Sequence, residues 1–276
     1  VKTLVDQFNY PILGAGQMYE AWAERITSKG GSIMLGYEVK KINIKNNTVM
    51  NIIVEDNKGK KLSISAKQYL SSIPITHFFK ILNPKIDHTL ERSVSSLYYR
   101  EHITVNLLIN KKGIFPDQWI YIHDQNVKMA RIANYNNFSS AMTRDKNTTA
   151  LSVEYFSFQN EPLWIMKDND LIKLAIDELV SVGLVDRRTI INGWVIRETE
   201  SYPTYYLGYK KHYKKLKERI NQIVNLQPIG RGGMYKYNNQ DHSTLSGLLA
   251  SRNYLKSEGS PFNLWNINID AEYQES

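Results

Sequence analysis

Cysteine is absent from the 276 residues of this chain. The absence excludes disulfide frameworks, thiolate nucleophiles and cysteine-ligated zinc or iron–sulfur centres, and it is typical of a reducing compartment. Long apolar runs are also absent: none approaches the roughly 18 residues that a membrane span needs, and the first residues carry no hydrophobic signal-peptide core. We therefore expect a cytoplasmic protein without a membrane span.

Motifs for metals and for dinucleotides are missing as well. The six histidines are never spaced at i, i+3 or i+4, so the sequence predicts no metal site. Two glycine turns lead into helices, at Gly14-Ala15-Gly16 and at Gly230-Arg231-Gly232-Gly233. Neither completes the G-x-G-x-x-G fingerprint of a dinucleotide-binding βαβ unit. A glycine pair alone is more typical of a tight turn with positive φ.

Basic residues and tyrosines are abundant. Lys and Arg number 35 against 27 Asp and Glu, which gives a net charge of +8, and there are 18 tyrosines. Because tyrosine hydroxyls and arginine forks suit phosphorylated ligands, we expect a small anionic substrate, of which a nucleotide sugar is one example. Lysines in the stretch 208–224 alternate with apolar residues, as on the solvated face of a helix. No nucleic-acid partner is therefore expected, while peripheral contact with an acidic membrane surface stays open.

Periodicity and turn residues predict a mixture of helices and strands. The strongest helix is predicted at 168–183, capped by Asp168 and stopped by Gly183. Further helices are expected at 16–30, 74–82, 87–97, 208–224 and 243–255. Strands are expected at 32–35, 39–44, 49–54, 62–65, 69–73, 103–109, 119–123, 129–135, 149–156 and 190–197.

Hydrogen-bond donors are concentrated after the second glycine turn. Arg231 is followed by two tyrosines and several amides, which together suit a polar ligand, although a solvated loop that ends in a helix cap explains them equally well. We reject Asp241-His242-Ser243 as a catalytic triad, because consecutive residues at a helix start point in different directions. No catalytic residue is therefore assigned. Arg131 interrupts an apolar strand, and an inward arginine needs an anionic partner.

These blocks resemble the C-terminal portion of flavoproteins in the amine oxidase, protoporphyrinogen oxidase and UDP-galactopyranose mutase superfamily, most closely its bacterial amine oxidoreductase-like members. The most specific block is similar to the mutase pattern G-R-x-x-x-Y-x-Y-x-N/D-M-D, with Gln240 in place of methionine; it comprises Gly230, Arg231, Tyr235, Tyr237, Asn239 and Asp241. Tyr202-Pro203 resembles the mutase Y-P segment. Val39 stands in a strand that resembles the family's adenine-side strand, and Arg131 with Glu154-Tyr155 resembles the substrate-facing arginine strand and its neighbour.

The resemblance implies an α+β fold with a partial FAD-binding domain that lacks the N-terminal Rossmann βαβ unit, and a sheet-and-helix substrate domain. Residues 1–74 and 225–276 would belong to the FAD-binding domain, and residues 75–224 would form the substrate domain. It implies FAD as cofactor, contacted by Val39, Gly230, Arg231, Asn239 and Asp241. Arg131, Tyr202 and Tyr235 would converge on the substrate. Since the pyrophosphate loop is missing, we expect this chain to be part of a longer protein and to be inactive alone.

Three functions are compatible with the sequence. The first is an FAD-dependent oxidoreductase similar to amine oxidase or protoporphyrinogen oxidase. The second is a flavin-dependent sugar isomerase similar to UDP-galactopyranose mutase, which implies a role in polysaccharide biosynthesis. The third is a non-catalytic module that binds nucleotide sugars, polysaccharide or nucleic acid through its basic, tyrosine-rich surface.

Overall fold

The computed structural model describes residues 8–256 and 261–268. In chain order the helices are α1 (Gly16–Ser28), α2 (Ile75–Lys80), α3 (His88–Ser96), α4 (Tyr135–Phe138), α5 (Pro162–Ile165), α6 (Asp168–Ser181), α7 (Tyr209–Asn221), α8 (Gly230–Met234) and α9 (Gln240–Leu255). The strands are β1 (Tyr37–Lys45), β2 (Thr48–Asp56), β3 (Lys61–Ile64), β4 (Tyr69–Ser71), β5 (Leu82–Asn83), β6 (Tyr99–Ile109), β7 (Trp119–Tyr121), β8 (Arg131–Asn134), β9 (Thr149–Ser157), β10 (Ile190–Pro203) and β11 (Leu226–Pro228).

The chain divides into two compact units. Among the described residues, unit 1 holds 34–99 and 200–268, and unit 2 holds 8–33 and 100–199. The residues 75–99 and 200–224 thus pack in unit 1, together with the segments expected to form the flavin side. Which unit serves the flavin and which serves the substrate stays a prediction.

Unit 1 contains an antiparallel meander extended by one short parallel strand. Its four-stranded sheet has the order β3-β2-β1-β5. The turn between β1 and β2 has positive φ at both central residues, Asn46 (50°) and Asn47 (56°). Asparagine tolerates this left-handed conformation, and the resulting turn matches the twist of a hairpin. The β-meander that the sequence predicted is confirmed.

A second, two-stranded sheet joins the two sequence segments that form unit 1. β11 pairs in parallel with β4, with Leu226 opposite Tyr69 and Pro228 opposite Ser71. Asn225, just before β11, links this pair to the first sheet: its carbonyl accepts from the Tyr69 N–H of β4 at 2.9 Å, and its side chain accepts from the Val49 N–H of β2 at 2.8 Å and donates to the Val49 carbonyl at 2.9 Å. Two segments that are far apart in the sequence, and that were both expected on the flavin side, thus lie next to each other.

The core of unit 1 lies beneath these strands and three helices. Phe78 and Phe79 of α2, with Leu216 and Ile220 of α7, are at most 1% exposed. The α7 prediction is confirmed, since its apolar stripe is buried while its lysines lie on the opposite, solvated side.

Unit 2 is built on a five-stranded sheet with the order β10-β6-β9-β8-β7, in which β6, β9, β8 and β7 pair antiparallel. Alternate residues of its central strands, such as Val105 and Val153, pack against Leu171, Ala175 and Leu179 of α6. All five side chains are fully buried. The predicted stripe of α6 is therefore confirmed, and so is its end, because Gly183 adopts a φ of +75° just after the helix.

Several local predictions were wrong. Residues 32–35 form no strand, and α6 begins at Asp168 with Lys167, not Asp168, at the cap position. The second glycine turn is itself the short helix α8, and α9 begins at Gln240, three residues earlier than predicted. The helix predicted at 16–30 is present as α1, but its large apolar residues are not buried: Trp22 is 44% and Ile26 is 49% exposed. Among the described residues, no helix is long and apolar enough to cross a membrane.

Close packing of α8 on β4 predicts a steric requirement for glycine. A Cβ at Gly233 would lie 2.4 Å from the Ser71 carbonyl oxygen, whereas a Cβ at Gly247 in α9 would have Ile229 Cδ1 at 3.9 Å as its nearest neighbour. We expect Gly233→Ala to lower the free energy of unfolding by about 1–3 kcal/mol. Gly247→Ala should leave it unchanged or raise it by up to about 1 kcal/mol, because alanine favours helix. Urea unfolding of both variants tests this, and equal midpoints would contradict it.

Candidate functional site

The first candidate site lies at the carboxyl ends of the parallel strands β4 and β11. After Ser71 the chain turns into α2, and after Pro228 it turns into α8, so both exits meet at one edge of the pair. Gly230 has a φ of +70°, and its N–H donates to Ser246 Oγ of α9 at 2.8 Å. This edge of a parallel sheet is where α/β proteins commonly bind ligands.

Arg231 is held in a fixed position at this edge. Its Nε donates to the Asn238 carbonyl at 2.8 Å and its Nη1 to the Ser201 carbonyl at 3.1 Å. Its Cζ lies 4.7 Å from the ring centre of Tyr202 and 4.9 Å from that of Tyr237. Two carbonyls and two aromatic rings therefore orient one guanidinium group, and both tyrosine rings gain a cation–π contact.

The two tyrosines beside Arg231 also contact each other. The rings of Tyr202 and Tyr237 stack with centres 5.8 Å apart and planes inclined by 24°. Tyr237 is further fixed through its backbone, because its N–H donates to the Tyr205 hydroxyl at 2.7 Å and its carbonyl accepts from Asn268. Tyr237 belonged to the sequence pattern but was not predicted as a site residue, and the structure places its ring against Arg231 and Tyr202.

Tyr235 occupies a different environment from Tyr202. Its side chain is 1% exposed, and its hydroxyl lies 2.8 Å from the Tyr98 carbonyl and 3.1 Å from the Thr204 carbonyl. Burial raises the pKa of the Tyr235 phenol, so the group stays neutral. Its contacts are those of a core residue, and a role in substrate binding stays a prediction.

The start of α9 completes this first site. Asn239 stands at the cap position without a side-chain bond to the helix, and Asp241 in the first turn contacts His242 Nδ1 at 3.1 Å. Sequence analysis missed Asn238, whose side chain is 1% exposed and has no hydrogen-bond partner within the described residues. Only its place just before a helix cap marked it in the sequence. Such a buried, unpaired amide is uncommon, because it costs free energy.

Val39 lies elsewhere in unit 1. It pairs with Val54 next to a bulge in β1 and packs half-buried against the hydrophobic core. These contacts support the sheet, and the expected contact with an adenine ring stays a prediction.

The second candidate site lies on the polar face of the sheet in unit 2. Arg131 of β8 stands opposite Glu154 of β9, and its Nε and Nη2 donate to Glu154 Oε2 at 2.9 and 2.5 Å. His102 Nε2 lies 3.1 Å from the same oxygen. The neighbouring strand contributes Tyr121, whose ring centre is 5.7 Å from the Arg131 Cζ. The anionic partner that an inward arginine requires is thus supplied by the protein itself.

Charge pairing dominates the electrostatics of this second site. Burial opposes ionisation of Glu154, but the hydrogen bonds from His102 and Arg131 together outweigh it and lower the pKa of the carboxyl. Glu154 is therefore a carboxylate at neutral pH. It neutralises the charge of Arg131 in the absence of a ligand.

A buried carboxylate on α6 positions the strand that carries Arg131. Glu178 is 7% exposed, and its two oxygens accept from the N–H groups of Lys128 at 2.6 Å and Met129 at 3.1 Å. Glu178 Oε2 also accepts from the Tyr155 hydroxyl at 2.9 Å. Sequence analysis missed Glu178, because a glutamate within a helix is ordinarily solvated.

The predicted substrate residues fall in both units. Arg131 belongs to unit 2, whereas Tyr202 and Tyr235 belong to unit 1, so their convergence on one ligand stays a prediction. Arg197 forms an ion pair with Asp168 and donates to the Met166 carbonyl, which gives it a structural role.

Within residues 8–256 and 261–268, no group of three or more His, Cys, Asp or Glu side chains could hold a metal ion.

Comparison with known proteins gives similarity in structure only. No family model matches the sequence, and no curated protein matches it either. A structure of reduced UDP-galactopyranose mutase matches 94% of this chain with a TM-score of 0.78 at 17% identity. An oxidoreductase from Methanosarcina mazei matches 86% with a TM-score of 0.61, and a protein assigned as a protoporphyrinogen oxidase from Exiguobacterium sp. 255-15 matches 79% with a TM-score of 0.58, each at 13% identity.

The chain spans about half of each of these proteins: 54% of the mutase, 54% of the oxidoreductase and 46% of the third. The resemblance found in the sequence is confirmed at the level of the fold. The chain has the fold of a part of these proteins, and the similarity extends through both units.

The Glu154 ion pair predicts a pH-dependent contribution to stability. The pKa of the Glu154 carboxyl is lowered on folding, so its ion pair stabilises the folded protein fully at pH values above the ordinary pKa of 4.5. This contribution is lost as the pH falls through the lowered pKa. We expect Glu154→Gln to lower the free energy of unfolding by about 2 kcal/mol at neutral pH and by much less at acid pH. Urea unfolding at several pH values measures the difference. Exposed Glu91 offers a control as Glu91→Gln, and a pH-independent loss for Glu154→Gln would refute the assignment.

Proposed function

We propose that this chain forms the flavin-ring and substrate side of an FAD-dependent enzyme that acts on a small anionic substrate. The observation that carries the proposal is the fold that this chain shares with the mutase and the two other proteins. In this chain the Arg231 block lies at the carboxyl ends of the parallel strands β4 and β11. FAD would supply the group that accepts or donates electrons, and the protein would supply orientation and charge.

The residues in unit 1 fit part of this cofactor. Arg231 offers a charge held in place by carbonyls and rings, and the start of α9 offers backbone N–H groups that no side chain caps. The unpaired amide of Asn238 fits a site that is completed by a further polar group. Gly230, Arg231, Asn239 and Asp241 would hold the ring side of FAD, and Val39 the adenine side. The sequence offers no loop for the pyrophosphate.

The substrate would be held by arginine and tyrosine side chains. Arg131 is the candidate in unit 2, and a substrate anion would have to compete with Glu154 for it. Tyr202 is the first candidate in unit 1, and Tyr235, which lies in the core of that unit, is the second. An oxidoreductase similar to amine oxidase or protoporphyrinogen oxidase is our first candidate function.

A sugar isomerase is the second candidate, favoured by the extent of the match with UDP-galactopyranose mutase. The two candidates differ in electron balance. An oxidoreductase passes two electrons from substrate to FAD, so substrate should bleach oxidised flavin. An isomerase ends with the flavin in its starting state, so UDP-galactopyranose should be converted to its ring isomer with no net change of flavin absorbance.

Flavin binding by this chain is expected to be weak but dependent on Arg231. Without the helix end that anchors a pyrophosphate, affinity should fall by several kcal/mol, at about 1.4 kcal/mol per tenfold, so the purified chain should be colourless. Added FAD should still bind, and Arg231→Ala should weaken that binding about tenfold or more by removing a cation. Flavin fluorescence during titration measures the affinity.

The control for this titration is Arg25→Ala, at an exposed position on α1, which should bind FAD like the unaltered chain. Circular dichroism melts establish that both variants are folded. A yellow purified chain would contradict the argument from the missing pyrophosphate loop. Failure of the unaltered chain to bind any added FAD would overturn the flavin assignment and favour the non-catalytic binding module.

A further inference from the structure

A pocket in unit 1 has no role in the function proposed above. It measures about 330 Å³ and lies between the C-terminal end of α7, β11 and the segment 262–265. This volume is at the small end of the range of ligand sites. None of its nine lining residues is charged: they are Asn221, Ile223, Val224, Leu226, Gln227, Phe262, Asn263, Leu264 and Trp265.

One wall of the pocket is an indole held in a fixed orientation. Trp265 Nε1 donates to Asn221 Oδ1 at 3.1 Å, and the Trp265 backbone N–H donates to Asn263 Oδ1 at 3.1 Å. Lys217 Nζ lies 4.6 Å from the ring centre, and Lys236 Nζ donates to the Trp265 carbonyl at 3.2 Å. Two contacts to the indole and two to the Trp265 backbone therefore hold this residue in place before any ligand arrives, which lowers the entropy cost of binding.

Carboxamides supply the polar part of the wall. Because the oxygens of Asn221 and Asn263 accept from Trp265, the amide nitrogens of both side chains remain oriented as donors. Gln227, half-buried on β11, adds an amide with both a donor and an acceptor. The pocket thus combines an aromatic wall, an apolar floor of Ile223 and Leu226, and uncharged groups that match hydroxyls.

This chemistry selects the class of ligand. A cation would be repelled by the Lys217 and Lys236 ammonium groups beside Trp265, and an anion would lose water in a pocket whose own lining carries no charge while both lysines are already engaged by Trp265, which is costly. A purely apolar ligand would leave the carboxamides without partners. A pyranose ring has apolar C–H faces that pack on aromatic rings and hydroxyls that both donate and accept. We propose that this pocket binds a neutral carbohydrate of one or two pyranose rings.

The proposal is independent of the flavin site, because none of the lining residues belongs to the Arg231 block. Saturation-transfer NMR of the full chain with maltose, lactose and cellobiose provides the test. We expect transfer to the C–H protons of at least one disaccharide. Binding should weaken about tenfold or more in Trp265→Ala and in Gln227→Ala, and glucose 6-phosphate should bind no better than glucose.

Two variants keep the test decisive. Gln125→Ala, at an exposed position in unit 2, is the matched control and should bind like the unaltered chain. If Trp265→Ala fails to fold, Gln227→Ala carries the test, because the half-buried Gln227 side chain is not part of the hydrophobic core of unit 1. Absence of transfer to all three disaccharides, equal transfer in Gln227→Ala and the unaltered chain, or binding of the phosphorylated sugar alone would each overturn the proposal.

Discussion

The parallel pairing of β4 with β11 is the constraint on which unit 1 depends. It joins segments that are far apart in the chain, and just before β11 the side chain of Asn225 adds two hydrogen bonds to Val49 of β2, 176 positions away. Closing so long a loop costs entropy, which only a specific set of contacts can offset. Because α8 follows directly from β11, the same pairing sets where Arg231 stands.

The close packing of α8 on the end of β4 then sets the geometry of the candidate flavin site. α8 lies against the end of β4 because Gly233 has no side chain to separate them. From this position Arg231 reaches the carbonyls of Ser201 and Asn238, and through them it ties β10 and the start of α9 to the glycine turn. The site is therefore built from three separate parts of the sequence, which local patterns cannot connect.

Features that depend on local sequence could be predicted, whereas features that depend on contacts between distant segments could not. Strong periodicity predicted α6, α7 and the β1–β2 hairpin, because burial of one face and turn chemistry act locally. The motif resemblance predicted the fold and singled out Arg231. It could not distinguish Tyr235 from Tyr237, since the full burial of Tyr235 and the half-burial of Tyr237 follow from contacts with residues far away, such as Tyr98. Glu178 could not be predicted, because its partners, two backbone N–H groups and the Tyr155 hydroxyl, lie on other segments of the chain.

The two arginines of the candidate sites differ in how their charge is compensated, and this difference bears on what each can bind. Arg131 and His102 both bind the Oε2 oxygen of Glu154, so an anionic ligand at Arg131 must displace an existing ion pair. Such a ligand gains only the difference between its own interaction with Arg131 and the interaction that Glu154 loses. Arg231 is held by carbonyls and tyrosine rings, which orient a guanidinium without cancelling its charge, and none of the ion pairs found among the described residues involves it. A permanently anionic or electron-rich group therefore gains more at Arg231. A substrate that is recognised at Arg131 must instead match the geometry that Glu154 already satisfies, which favours selectivity over affinity.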